Sequence, residues 1–114
     1  MLAQIYSLKG ERTINEVLKR GEKKQSDSFG VFYINKKSDD HPKFAFVISK
    51  KISKLAVNRN RVKRAISESV RRNVNRIPRG VLFVFLAKKS IVEKSTEDIM
   101  KETEDFIYDF ELKE

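Results

Sequence analysis

Apolar and polar positions alternate with two different periods along this chain. Ile14, Val17 and Leu18 recur at i, i+3 and i+4 and predict a short helix through Arg20 that stops at Gly21. Thr13 and Glu16 have the S/T-x-x-E spacing of a capping box at its start. The polar run from Glu22 to Asp27 reads as a loop or a weak edge strand. Phe29 to Ile34 alternates as a strand, with Phe29, Val31 and Tyr33 on one face and Gly30, Phe32 and Ile34 on the other. NKKSDDHP, ending at Pro42, predicts a loop, and Phe44 to Ser49 a returning strand, the two strands forming an antiparallel hairpin. Helical spacing returns at Val62, Ala65, Ile66, Ser69, Val70 and Val74, the buried side of a helix over roughly Leu55 to Asn75. Asn60, Arg64, Ser67 and Arg71 fall on its outer side, with Arg61, Glu68 and Arg72 wrapping further round. Val81 to Ala87 is apolar without interruption, which suits a central strand covered on both faces. A last helix begins at Ser95, spaced from Asp98 as a cap, with Ile99, Thr103, Phe106, Ile107 and Phe110 as its apolar stripe. The order is helix, two or three strands, helix, strand, helix: an α+β sandwich, α-β-β(-β)-α-β-α, in one domain over residues 1–114.

Charge changes the picture most. Residues 49–72 hold nine of the 25 Lys and Arg and a single acid, Glu68, for a net charge of +8 out of +9 for the chain. From Ser90 onward nine acids face three bases. A positive charge gathered on one helix, without the alternating acids that stabilise a solvated face, marks a surface for a polyanion, because Lys and Arg at phosphates release condensed counterions. Nucleic acid is the expected partner. Eight Phe and three Tyr leave aromatic rings for stacking unpaired bases beyond those a core needs. There is no Cys, so no disulfide, thiolate metal site or thiol nucleophile. No apolar run spans a bilayer and the N-terminus lacks the pattern of a signal peptide, so no membrane association and a cytoplasmic location are expected.

Catalytic groups are not apparent. His41, the one histidine, lies in a polar loop beside Pro42, and Asp39 and Asp40 read as solvated turn residues. Asp98, Glu102, Asp105 and Asp109 recur at helical spacing and read as the solvated face of the last helix rather than a metal site. No serine stands in a nucleophile-elbow pattern, and no Gly-rich phosphate loop occurs.

AVNRNRVKRAISES, Ala56 to Ser69, resembles the signature of the bacterial ribonuclease P protein subunit. Arg59-Asn60-Arg61-Val62-Lys63-Arg64 is similar to its R-N-R/K-x-K-R core, and Ser49-Lys50-Lys51 to the motif that precedes it. INEVLKRG resembles the family's first helix, FGVFYI and FAFVISKK its strands, and VLFVFLAKKS the strand after the basic helix. The resemblance implies a fold like a ribosomal protein domain, with a left-handed βαβ crossover through the basic helix. It implies a protein that assists a catalytic RNA in cutting the 5′ leader from precursor tRNA, the chemistry belonging to that RNA and its Mg²⁺ ions, with no cofactor bound by a protein motif and one protein per RNA. Lys50, Lys51, Arg59, Asn60, Arg61, Lys63, Arg64 and Arg71 would lie against the catalytic RNA. Ile14, Leu18, Gly30 and Phe32 would line a cleft for the leader. Ile14 stands where many members have Phe, and Ile52-Ser53-Lys54-Leu55 lacks the Gly common at that turn. The alternative reading is a ribosome-associated or general RNA-binding protein with no part in cleavage.

Overall fold

The computed structural model describes residues 2–113. Its elements are α1 (Glu11–Arg20), β1 (Glu22–Gln25), β2 (Phe29–Asn35), β3 (Lys43–Val47), α2 (Ala56–Asn73), β4 (Val81–Ala87) and α3 (Thr96–Lys113), with short 3-10 turns at Gln4–Tyr6, Val74–Arg76 and Lys89–Glu93. The strands form one mixed sheet in the order β1-β2-β4-β3. Helices α2 and α3 cover one face and α1 the other, so the α+β sandwich expected from the sequence is the architecture found.

β4 explains the arrangement. Its apolar run puts Val81, Phe83 and Phe85 toward α2 and α3, and Leu82, Val84 and Leu86 toward α1. Such a strand needs a neighbour on each side as well as cover on each face. It pairs antiparallel with β2 and parallel with β3. The expected hairpin of β2 with β3 is therefore not formed, because β4 lies between them. The 36–42 loop grips the turn before β4 instead of closing on itself. Lys36 N–H donates to the Gly80 carbonyl (2.9 Å), Gly80 N–H to the Asp40 carbonyl (2.8 Å) and the Arg79 guanidinium to the Asp39 carbonyl (3.0 Å). Gly80 has φ +83, and a Cβ there would lie 2.6 Å from the Ser38 carbonyl oxygen.

The core beneath α2 and α3 is aromatic. Seven of the eight phenylalanines, Phe29, Phe44, Phe46, Phe83, Phe85, Phe106 and Phe110, join in ring contacts with centroids 5.0–6.5 Å apart. Phe29 and Val31 are fully buried there, as the alternation of β2 predicts. The predicted stripe of α2 is buried at Val62, Ala65, Ile66, Ser69 and Val70 and half-buried at Val74, and α3 buries Ile99, Thr103, Ile107 and Phe110. Asp98 N–H donates to Ser95 Oγ (3.1 Å), the expected cap.

Two local expectations fail. No capping box forms at α1: the helix starts at Glu11, Gly10 is its N-cap at φ 96, and Thr13 already lies inside the first turn. The backbone freedom of Gly10 turns the chain into the helix directly. Ser67, expected on the outer side of α2, is buried. It turns toward β3 and the N-terminal segment, whose return to the sheet through an isolated Ser7–Phe44 bridge is a long-range event no local pattern announces.

Candidate nucleic-acid interface

Residues of the basic stretch divide into two groups in space. Lys50 and Lys51 lie in the turn after β3, and Asn60, Lys63 and Arg64 on the outer surface of α2; all are exposed, and their side chains make no hydrogen bond or ion pair with the described residues. Free ammonium and guanidinium groups of this kind are available to phosphates. The other four arginines of the stretch are occupied. Arg61, half-buried, donates to the Val92 carbonyl (3.0 Å), the Lys94 carbonyl (3.0 Å) and Thr96 Oγ1 (3.5 Å), tying α2 to the start of α3. Arg59 donates to the carbonyls of Ser53 (2.8 Å) and Lys54 (3.0 Å). Arg71 pairs with Glu68 at 2.5 Å, and Arg72 reaches the same carboxylate at 3.4 Å. The hydrogen bond from Arg71 holds the Glu68 carboxyl down to about 2, so it stays ionised and offsets the cations at the C-terminal end of α2. Net positive charge is thus concentrated at the first half of the helix. The partial positive charge of a helix N-terminus adds to it there.

The turn leading into α2 needs no glycine. Lys37 is the one non-glycine with positive φ among the described residues, so 52–55 runs through ordinary backbone. Ile52 N–H donates to the Ser49 carbonyl (3.0 Å) and Leu55 N–H to Ser53 Oγ (3.2 Å), while Arg59 ties down the Ser53 and Lys54 carbonyls. Arg59 therefore shapes the loop that presents Lys50 and Lys51.

The opposite sheet face carries the second set of candidate residues. Ile14 and Leu18, half-buried, flank the fully buried Val17 of α1 and pack in one cluster with Phe32, Ile34, Val84 and Leu86. Gly30 shares their face by alternation and lies beneath Lys23 and Gln25 of β1; a Cβ there would meet Lys23 Cε at 3.6 Å and Gln25 Oε1 at 3.7 Å, ordinary contacts. Phe32 is the one phenylalanine outside the aromatic network of the core among the described residues. It is half-buried like Ile14 and Leu18, with the Lys23 ammonium 5.2 Å from its ring centroid. A partly exposed ring with a cation at hand can stack on an unpaired base. Ile14 also borders a second cleft, where Lys9 and the segment before α1 meet Asn60, Lys63 and Arg64. Sequence reasoning missed Lys9, because only the tertiary return of the N-terminal segment to β3 brings it to the basic helix.

His41 packs edge-on against Tyr6, with centroids 5.4 Å apart, and Glu102 accepts from Ser26 Oγ (2.5 Å), Ser28 N–H (2.7 Å) and Lys94 Nζ (3.1 Å), fastening the 26–28 loop to α3. Among the described residues no three His, Asp or Glu side chains gather to hold a metal ion, and no helix is long and apolar enough to cross a membrane.

The family model described as Ribonuclease P matches residues 2–111. The chain belongs to the ribonuclease P protein family. It is 34% identical over 101 residues to the ribonuclease P protein component of Clostridioides difficile, covering 88% of this chain and 87% of that one. To the component of Vibrio campbellii it is 36% identical over 85 residues, 75% of this chain and 70% of the relative. In three dimensions it resembles the ribonuclease P protein of Staphylococcus aureus, with a TM-score of 0.83 at 26% identity over 90% of this chain and 93% of that one. The Thermotoga maritima protein shares the fold, with a TM-score of 0.77 at 24% identity over 89% of this chain and 94% of its own. Members of the family are protein components of a tRNA-processing ribonuclease.

Proposed function

We propose that this protein binds the catalytic RNA of ribonuclease P through the first half of α2 and the preceding turn, and the 5′ leader of precursor tRNA through the sheet face beside α1. The observation that carries it is the cluster of unoccupied polar and cationic groups at Lys50, Lys51, Asn60, Lys63 and Arg64, on a rigid helix and a hydrogen-bonded turn. Arg59 and Arg61 act indirectly, by holding the turn and the helix in place, and Arg71 contributes less than its charge suggests because Glu68 already neutralises it. On the other face Phe32 offers a stacking surface, with Ile14 and Leu18 as apolar wall.

The protein's part is binding, orientation and charge neutralisation. Mg²⁺ and the chemistry of leader removal belong to the RNA, in a cytoplasmic complex of one protein with one RNA. Screening RNA–RNA repulsion with fixed cations lowers the concentration of divalent ions the complex needs. Precursor tRNA cleavage by a bacterial ribonuclease P RNA, at Mg²⁺ too low for the RNA alone, tests this directly. The protein is expected to restore cleavage and to cut nothing by itself. Cleavage by RNA-free protein, or no gain on adding it to the RNA, would refute the proposal.

A further inference from the structure

Where the N-terminal segment leaves the sheet, a cleft of about 600 Å³ opens along β3. Leu8, Ile14 and Ala45 give it an apolar floor on the α1 side of the sheet. Lys9, Lys63 and Arg64 stand on its rim beside the Asn60 amide, and no acidic residue is among those lining it. A strand edge completes it. Leu8 N–H donates to the Phe44 carbonyl (2.8 Å), and the Ser7–Phe44 bridge is isolated. In a parallel strand the backbone groups of alternate residues point to the same side. The N–H and C=O of Phe46 therefore face the cleft, past the point where the N-terminal segment has turned away.

An apolar floor, a donor and acceptor along one side and cations around the rim complement a single unpaired nucleotide. The base lies on the floor with its hydrogen-bonding edge toward Phe46 and Asn60, and the flanking phosphates meet Lys9, Lys63 and Arg64. We infer that this cleft takes one unpaired nucleotide of the catalytic RNA. The inference rests on the proposed function, since Asn60, Lys63 and Arg64 belong to the face assigned to that RNA. It adds a base-binding pocket at a sheet edge, and Lys9, to what is otherwise a row of phosphate contacts.

Ser7→Trp fills the cleft and leaves every cation in place, whereas Asn60→Ala removes the amide alone. Each variant, and the unaltered protein, is assembled with a bacterial ribonuclease P RNA, with base-edge chemical probing, a salt titration of binding and a thermal melt. The unaltered protein is expected to protect one unpaired base of the RNA. Ser7→Trp should lose that protection and weaken binding about tenfold without changing the log–log salt slope, and Asn60→Ala should weaken the same protection. Lys9→Ala should instead lower the slope by roughly one and keep the protection. If Ser7→Trp melts early, Asn60→Ala, on an exposed helix surface, carries the test. Unchanged protection and affinity in the variants would overturn the pocket and leave the proposed function standing. So would a lost protection that maps to the precursor's leader, or self-association of the free protein that Ser7→Trp abolishes, which would mark a strand-adding protein contact. Failure of the unaltered protein to bind the RNA would overturn both.

Discussion

Arg61→Ala separates a structural cation from a binding one. Arg61 and Arg64 are three residues apart in the same basic motif, yet the first donates to two carbonyls and a hydroxyl at the start of α3, and the side chain of the second makes no hydrogen bond or ion pair with the described residues. Hydrogen bonds from a charged donor are worth ~1.5–3 kcal/mol each; with a half-exposed anchor and imperfect additivity, truncation is expected to cost about 2–3 kcal/mol. For a domain of this size that lowers Tm by roughly 10 °C. Arg64→Ala, a surface change, should stay within ~0.5 kcal/mol of the unaltered protein. The assays are a thermal melt without RNA and a salt titration of RNA binding. Arg64→Ala should reduce the log–log slope by roughly one with Tm held, whereas Arg61→Ala should melt early and lose less slope. Arg61→Lys keeps the charge but not the planar fork that reaches the carbonyls of Val92 and Lys94 together, so it should recover only part of the stability. Equal melting temperatures and equal losses of slope for the two alanine variants would show that Arg61 leaves its anchor to meet RNA, and would refute this division.

Phe29→Ala hollows the aromatic core and should cost ~3–5 kcal/mol, while Phe32→Ala should melt close to normal and lose preference for precursor over mature tRNA, worth ~1–3 kcal/mol in leader binding; paired melts and binding assays decide. Gly21 has ordinary φ, but a Cβ there would lie 2.4 Å from the Val17 carbonyl oxygen and 2.9 Å from that of Tyr33, so Gly21→Ala should destabilise by about 1–3 kcal/mol on denaturant titration. Burial alone would raise the Glu102 carboxyl, but hydrogen bonds from Ser26, Ser28 and Lys94 outweigh it and hold the group below its ordinary 4.5. Its stabilisation is therefore fully present above pH 4.5 and is lost as pH falls toward the folded value; Glu102→Gln should flatten the acid side of a Tm-against-pH curve, and an unchanged curve would count against the loop staple.

What the sequence showed well was whatever rests on local period and local charge. The two faces of β2, the stripe of α2, the central place of β4 and the basic surface all follow from spacing and composition. What it hid was long-range. Nothing in 29–47 says that a strand from residue 81 onward will part β2 from β3. The motif R-N-R-V-K-R does not reveal that Arg61 points to the start of α3 while Lys63 and Arg64 stay free, since that choice depends on where Val92 and Lys94 come to rest. Lys9 was invisible for the same reason. Gly21 stops α1 as the spacing predicts, but that its extended backbone also lets α1 approach Tyr33 closely depends on the sheet and shows in no local pattern.

The position of β4 also dictates when the sheet can exist during synthesis. Before residues 81–87 are made, β2 and β3 have no common partner, and β1 and β2 alone are a two-stranded ribbon of marginal stability. α2 also emerges before β4, with its apolar stripe facing a surface that has not been built. The growing chain therefore carries residues 49–72, with their +8, in an unfolded state beside the ribosome's own RNA. Joining β3 to β4 must then close a long loop, a slow step. Chains arrested before Val81 are expected to stay unfolded and to cling to ribosomes until salt releases them.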